Sequence, residues 1–187
     1  MQETLDIALK EWAVVCEAVW RGQQAILLRK GGIHEAAGEF ELEHRRFLLY
    51  PTFAHQKPDL VKPAWRARME QCCQEPAAIN ITAWANVAWI GQVPNRAAFD
   101  ALDDLHIWQP ELIDMRFRYR PDYPVYVLLL EAWRLAKPVE LAVEADYAGC
   151  RSWVPLKKSI ATAGGTPVWP AARVAQTREL LVRVLTA

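Results

Sequence analysis

The sequence predicts an α+β fold: a mixed, mostly antiparallel sheet or sheets with packed helices, one of them C-terminal. Three observations predict it. Residues 78–90 alternate with period two, placing Ile79, Ile81, Ala83, Ala85, Val87 and Trp89 on one face and Asn80, Thr82, Trp84 and Asn86 on the other, as in a long half-buried strand. Residues 170–185 carry Val174, Leu181, Val184 and Leu185 at helical spacing. Elsewhere strand-like and helix-like stretches follow one another without regular βαβ alternation, which argues against a doubly wound sheet.

Taken in order, residues 5–30 carry two patterns. Leu5, Leu9, Trp12, Cys16 and Val19 would line one helical face, while Trp12-Ala13-Val14-Val15-Cys16 is rich in strand formers. The expectation is a short N-terminal helix, then a hairpin of strands near 12–20 and 25–30 ended by Gly31-Gly32. A further strand at 47–50 stops at Pro51. Asp59 caps a helix running to about Cys73, with Pro63 in its first turn and Leu60, Ala64, Trp65 and Met69 at core spacing. Asn95 is the expected N-cap of a helix carrying Phe99, Leu102 and Leu105, and Pro110 opens another with Leu112, Ile113 and Met115. Residues 125–135 read as a central strand continued at 139–143 beyond Pro138, and 149–156 as an irregular edge.

At 187 residues the chain suits a single compact domain, 1–187, and can bury a core without disulfides or structural metal. The stretch 51–63 is the best candidate linker if two subdomains exist, an N-terminal α/β unit (1–56) and a sheet-and-helix unit (59–187). Lys plus Arg and Asp plus Glu both number 22, so a uniformly basic nucleic-acid coat and a polybasic membrane binder are excluded, while a local basic groove is not. No apolar run approaches the roughly 18 residues of a spanning helix, and the N-terminus lacks a signal-peptide pattern. Cys16, Cys72, Cys73 and Cys150 form no CxxC pair or zinc spacing, so reduced core thiols in a cytoplasmic protein are expected, with no metal or other cofactor. Most of the nine tryptophans are expected in the core.

Two clusters carry candidate chemistry. In the first, Arg29-Lys30-Gly31-Gly32 ends a strand and is followed by His34, Glu35, Glu39, His44, Tyr50, Thr52 and His55. Glycines permit close backbone approach to a ligand and the cations suit a phosphate, yet neither a Walker loop nor a GxGxxG turn is present. Carboxylates and imidazoles stand close enough in sequence for acid–base work, without HExxH or His-x-His spacing. In the second, Arg116-Phe117-Arg118-Tyr119-Arg120 interleaves cations with aromatics, a pattern that neutralises phosphates and stacks bases. Arg151, Trp153, Lys157 and Lys158 would extend that surface. The bland alternative buries Phe117 and Tyr119 and leaves the arginines solvated. A Nudix helix is absent. The strand 125–130 is followed by Glu131-Ala132-Trp133, which lacks the lysine of a PD-(D/E)xK nuclease.

The runs Ala8 through Ala18, Leu28-Arg29-Lys30-Gly31-Gly32-Ile33-His34-Glu35, Phe47-Leu48-Leu49-Tyr50-Pro51-Thr52 with His55-Gln56, Leu105-His106-Ile107-Trp108 and Gly149-Cys150-Arg151-Ser152-Trp153-Val154-Pro155-Leu156 resemble a prokaryotic family of uncharacterised function, domain of unknown function 1802 (DUF1802). The resemblance covers nearly the whole chain and brings no reaction or catalytic residues. Members that accompany restriction-endonuclease domains imply a DNA-linked context.

Three functions stay open. The first is a nucleic-acid-associated accessory protein of a restriction or defence system, with Arg116, Arg118, Arg120 and Arg151 on phosphates of DNA or another nucleic acid and Tyr119 or Trp153 stacking. The second is an enzyme acting on a phosphorylated small molecule or nucleic-acid end, with Arg29 and Lys30 on phosphate, Glu35 and His55 as acid and base, and Tyr50 orienting the substrate. The third is a structural or partner-binding domain. No membrane partner is expected, and the sequence leaves the oligomeric state open.

Overall fold

The structure is a computed structural model that describes residues 4–30, 42–71, 74–147, 149 and 151–186. Its elements are β1 (Thr4–Trp12), α1 (Ala13–Trp20), β2 (Ile26–Lys30), β3 (Arg46–Thr52), α2 (Pro63–Gln71), β4 (Ala78–Val93), α3 (Arg96–Asp100), α4 (Pro110–Arg118), β5 (Val125–Ala142), β6 (Trp153–Ala161), β7 (Thr166–Pro167) and α5 (Ala171–Leu185). The strands form one seven-stranded sheet in the order β2-β5-β4-β3-β1-β6, with β7 added alongside β5. Among the described residues only β1 and β3 pair in parallel. The α+β class, the mostly antiparallel sheet and the C-terminal helix are as the sequence predicts.

The N-terminal order is the reverse of the expectation. The chain opens with a strand, and the β-rich run after Trp12 is the helix α1. Val14, Val15, Cys16, Ala18 and Val19 are all buried there, so burial against the sheet outweighs the modest helix penalty of β-branched residues. β2 then pairs with β5 instead of forming a hairpin.

Consecutive residues of β1 and β3 alternate between two buried clusters: Leu9, Phe47 and Leu49 belong to the larger, and Ala8, Leu48 and Tyr50 to the smaller. The clusters therefore lie on opposite faces of the sheet. Every α-helix sends its buried residues into the larger one, among them Val15, Trp65, Phe99, Leu112 and Leu181. In β4 the period-two pattern holds but changes face. The register with β5 shifts between Ile81 and Ala83, so Ile79 and Ile81 face the smaller cluster while Ala83, Ala85 and Val87 face the larger. Pro138 sits in the irregular part of β5 opposite this shift, where no ladder hydrogen bond is required of it. On the smaller cluster's face Trp84 pairs with Trp133 across the strands, the rings stacked at 4.1 Å.

Two features set the position of α4. Gln24 is buried, and its amide donates to the Ile26 carbonyl (2.9 Å) while accepting from the Ile107 amide (3.1 Å). On the other side of this segment Lys62 N donates to Ile107 O (2.7 Å) and Gln109 N to Leu60 O (3.0 Å). The chain entering α4 is thus clamped between the start of β2 and residues 60–62. Among the described residues no helix is long and apolar enough to cross a membrane.

Candidate nucleic-acid interface

β2 runs antiparallel to β5 with Lys30 opposite Val125. The end of β2 therefore lies where the turn leaving α4 enters β5. Lys30 exploits this position. Its side chain is buried, and Nζ donates to the carbonyls of Arg116 (3.1 Å) and Phe117 (3.2 Å). An ammonium at a helix C-terminus meets both the unpaired carbonyls and the negative end of the helix dipole. Burial pulls the amine's pKa below its ordinary value, and the Asp122 carboxylate opposes that shift.

Arg29, one residue earlier, ties β2, at one end of the strand order, to β1, next to the other end. β2 and β1 are far apart in the strand order, yet Arg29 Nη2 donates to the Lys10 carbonyl (2.9 Å) and to Glu11 Oε2 (3.0 Å). The sheet has curled until one guanidinium spans the gap. Both side chains of this ion pair are mostly buried, 14% and 12% exposed. Beside it Glu11, Trp12, Leu28, Trp108, Leu112 and Arg116 line a recess of about 10 Å³, roughly room for one water. The two basic clusters, distant in sequence, thus meet through Lys30, Glu11 and Arg116.

Beyond Lys30's grip α4 ends. Tyr119 N closes the last turn on Met115 O (3.0 Å), and Arg120 turns the chain with φ 46°, in the left-handed region. Arg116 is exposed over part of its surface, though burial of its guanidinium beside the recess lowers its pKa. Tyr119 is 44% exposed, and the Arg118 side chain is 80% exposed with a 3.9 Å contact to Asp114. The Arg120 guanidinium lies over the Tyr123 ring at 4.8 Å. Phe117 is half-buried against the larger cluster. The helix end therefore presents cations and one open aromatic face.

The other sequence candidates lie elsewhere. Trp153 is buried, packed edge-on against Phe47 (5.3 Å) and His44 (5.2 Å), and so is a core residue. Arg151 is exposed and lines a separate open recess with Asp146, Tyr147 and Lys157, where Lys157 is held by Glu144 and by Asp146 (2.8 Å). Tyr50 is buried in the smaller cluster against Tyr147, and burial, aided by Glu75 and Tyr147, pushes its hydroxyl up to about 12. His55 is exposed at a turn with φ 60°. Arg29 is joined to Glu11 beside the larger cluster, so Arg29 and Tyr50 do not share a hollow. Glu35, with Gly31, Gly32, His34 and Glu39, lies outside the described residues, as do Cys72, Cys73 and Cys150. Among the described residues no group of three His, Cys, Asp or Glu side chains could hold a metal ion.

Sequence reading missed Glu11 and Gln24. Glu11's signal was a carboxylate two residues after Leu9, on the strand face that otherwise enters the core. Gln24 carried no signal beyond a polar residue abutting an apolar strand.

The family model described as "Domain of unknown function (DUF1802)" matches residues 8–179. The chain belongs to the DUF1802 family. No protein of curated function matches this DUF1802 chain. Among solved structures, the ASCH protein of Zymomonas mobilis is 12% identical, covering 94% of both chains with a TM-score of 0.43. Two single-site mutants of that protein align similarly with this DUF1802 domain. One is 13% identical over 94% of both chains with a TM-score of 0.44. The other is 12% identical over 81% of this chain and 90% of its own, with a TM-score of 0.46. These are distant likenesses.

Proposed function

We propose that this DUF1802 chain binds nucleic acid through the C-terminal end of α4, with Arg116, Arg118 and Arg120 on phosphates and Tyr119 as a stacking face. One observation carries the reading: the buried Lys30 amine holds the carbonyls of Arg116 and Phe117, while the side chains just beyond it project into solvent. A binding surface needs mobile cations on a fixed backbone, and here the anchor and the contact groups are adjacent. Interleaved arginine and tyrosine suit a strand whose bases are accessible, because stacking is indifferent to sequence while the guanidiniums track the backbone. With no net charge on the chain as a whole, attraction to phosphates rests on local clusters such as this one, and an accessory role beside DNA-processing proteins is the setting in which such a surface would act.

Fluorescence anisotropy with short single-stranded and duplex oligonucleotides tests this. Binding at low salt is expected, weakening linearly on a logarithmic salt axis with a slope of about −0.7 per phosphate contacted on single strands. Arg118→Ala with Arg120→Ala should flatten that slope by roughly one to two contacts. Absence of binding at low salt, or an unchanged slope in the double variant, would refute the assignment.

A further inference from the structure

A cavity of about 280 Å³ lies beneath α1, at the end of β3 and the start of β4. It shares no lining residue with the α4 terminus. Glu17 and Trp20 line it from α1, Leu49 and Pro51 from β3, and Asn80 and Thr82 from β4. Its volume is near the lower end of the range for small-molecule sites, about 300 to 1,000 Å³. That suits a compact planar ligand better than a peptide side or a lipid chain.

The register shift in β4 is what places polar groups there. Ile79 and Ile81 point to the smaller cluster, so Asn80 and Thr82 point to the face that α1 covers. Asn80 is exposed and Thr82 half-buried, and among the described residues neither side chain has a hydrogen-bond partner. An amide offers a donor and an acceptor side by side, the pattern that reads the edge of a nucleobase. Leu49 and Pro51 supply an apolar wall, and Trp20, 37% exposed, supplies a partly exposed aromatic ring.

Three guanidiniums reach the α1 side of the cavity, at Trp20 and Glu17. Arg134 Nε donates to the Trp20 carbonyl (2.9 Å), and its guanidinium lies 5.4 Å from the Trp20 ring centroid. Arg21 stands 5.9 Å from the same ring and donates to Glu17 at 2.8 Å. Arg68 reaches Glu17 from α2 at 2.5 Å. Against the three arginines stand Glu17 and, opposite Asn80 in the β4–β5 register, Glu140, which leaves a small net positive charge near the cavity and favours an anionic substituent on the ligand.

We propose that this cavity is a nucleotide site. The base stacks on Trp20 with its edge on Asn80 and Thr82, and the phosphate meets the arginines. The same chemistry would accept a free nucleoside monophosphate or the terminal nucleotide of a strand. This site goes beyond the α4 surface and stands without it.

Calorimetric titration of the intact chain with the monophosphates of adenosine, guanosine, cytidine and uridine tests the proposal, with ribose 5-phosphate as control. At least one monophosphate is expected to bind, and Trp20→Ala and Asn80→Ala should each weaken it about tenfold, in keeping with the loss of a stacking face or an edge contact. Asn80→Ala should keep the parent melting temperature, Asn80 being exposed, and it serves alone if Trp20→Ala does not fold. Arg118→Ala should leave monophosphate affinity unchanged, which separates this site from the α4 terminus. A short oligonucleotide that binds with the same Trp20 dependence identifies the strand-end source, and one without it identifies the free nucleotide. The proposal is overturned if no monophosphate binds at millimolar concentration, if ribose 5-phosphate binds as tightly, or if both cavity variants bind like the parent.

Discussion

The Lys30 ammonium sits 3.1 Å from the carbonyl oxygen of Arg116, a contact between residues 86 positions apart that joins the end of β2 to the end of α4. It makes one lysine the support of the basic helix terminus. It also explains why a lysine is buried at the end of β2: the stem packs in the core while the amine reaches carbonyls that the helix cannot satisfy.

Replacing that amine should loosen the terminus. Lys30→Met keeps the apolar stem and removes two charge-assisted hydrogen bonds, so a loss of about 1 to 2 kcal/mol is expected in denaturant unfolding. Hydrogen exchange should quicken at the Tyr119 amide, which closes the last turn of α4. A variant as stable as the parent with unchanged exchange would show that the contact does not hold the helix end.

The Arg29–Glu11 pair should behave as a coupled unit. Removing one partner strands a mostly buried charge, so Arg29→Met and Glu11→Gln should each cost about 2 kcal/mol or more. The double variant should cost clearly less than their sum. Additive losses in the double-mutant cycle would mean that the seam between β2 and β1 is held by packing alone.

Sequence patterning made much of this fold legible. The long alternation of β4, the Asn95 cap that accepts from the Ala98 amide (2.9 Å), the proline opening α4 and the C-terminal helix all lie where local chemistry puts them. The N-terminal order was not legible, because Val14, Val15 and Cys16 favour a strand locally and only packing against the sheet makes them helical. The face change at Ile81 was hidden too, since a register shift leaves no mark on a period-two count. For the site, Arg116 to Arg120 stood out as a cluster, but Lys30's partnership with it depends on β2 pairing with β5, a long-range choice. Trp153 was equally compatible with surface or core, and the fold buries it.

His106 makes part of the stability depend on pH. Its ring is buried between Phe99 and Trp108, with Nδ1 accepting from the Trp108 amide (3.2 Å). Burial, reinforced by Lys62, lowers its pKa to about 4. The unfolded chain therefore takes up this proton first. The contribution is complete above the unfolded value of about 6.5, and it is lost as pH falls from there through about 4, by roughly 3 kcal/mol in all. His106→Gln should flatten the stability profile across that window, measured by urea unfolding at a series of pH values. A parent-like slope in the variant would place the dependence on other groups.

The central claim is that the end of α4 contacts nucleic acid, and its most direct measurement is a nuclear magnetic resonance titration of the isotope-labelled protein with a short single-stranded oligonucleotide at low salt. Amide shifts should concentrate at Arg116, Phe117, Arg118, Tyr119 and Arg120, with Lys30 responding through its carbonyl contacts, and should fade as salt is raised. A spectrum that does not move at low salt, or shifts that leave residues 116–120 untouched, would contradict the account.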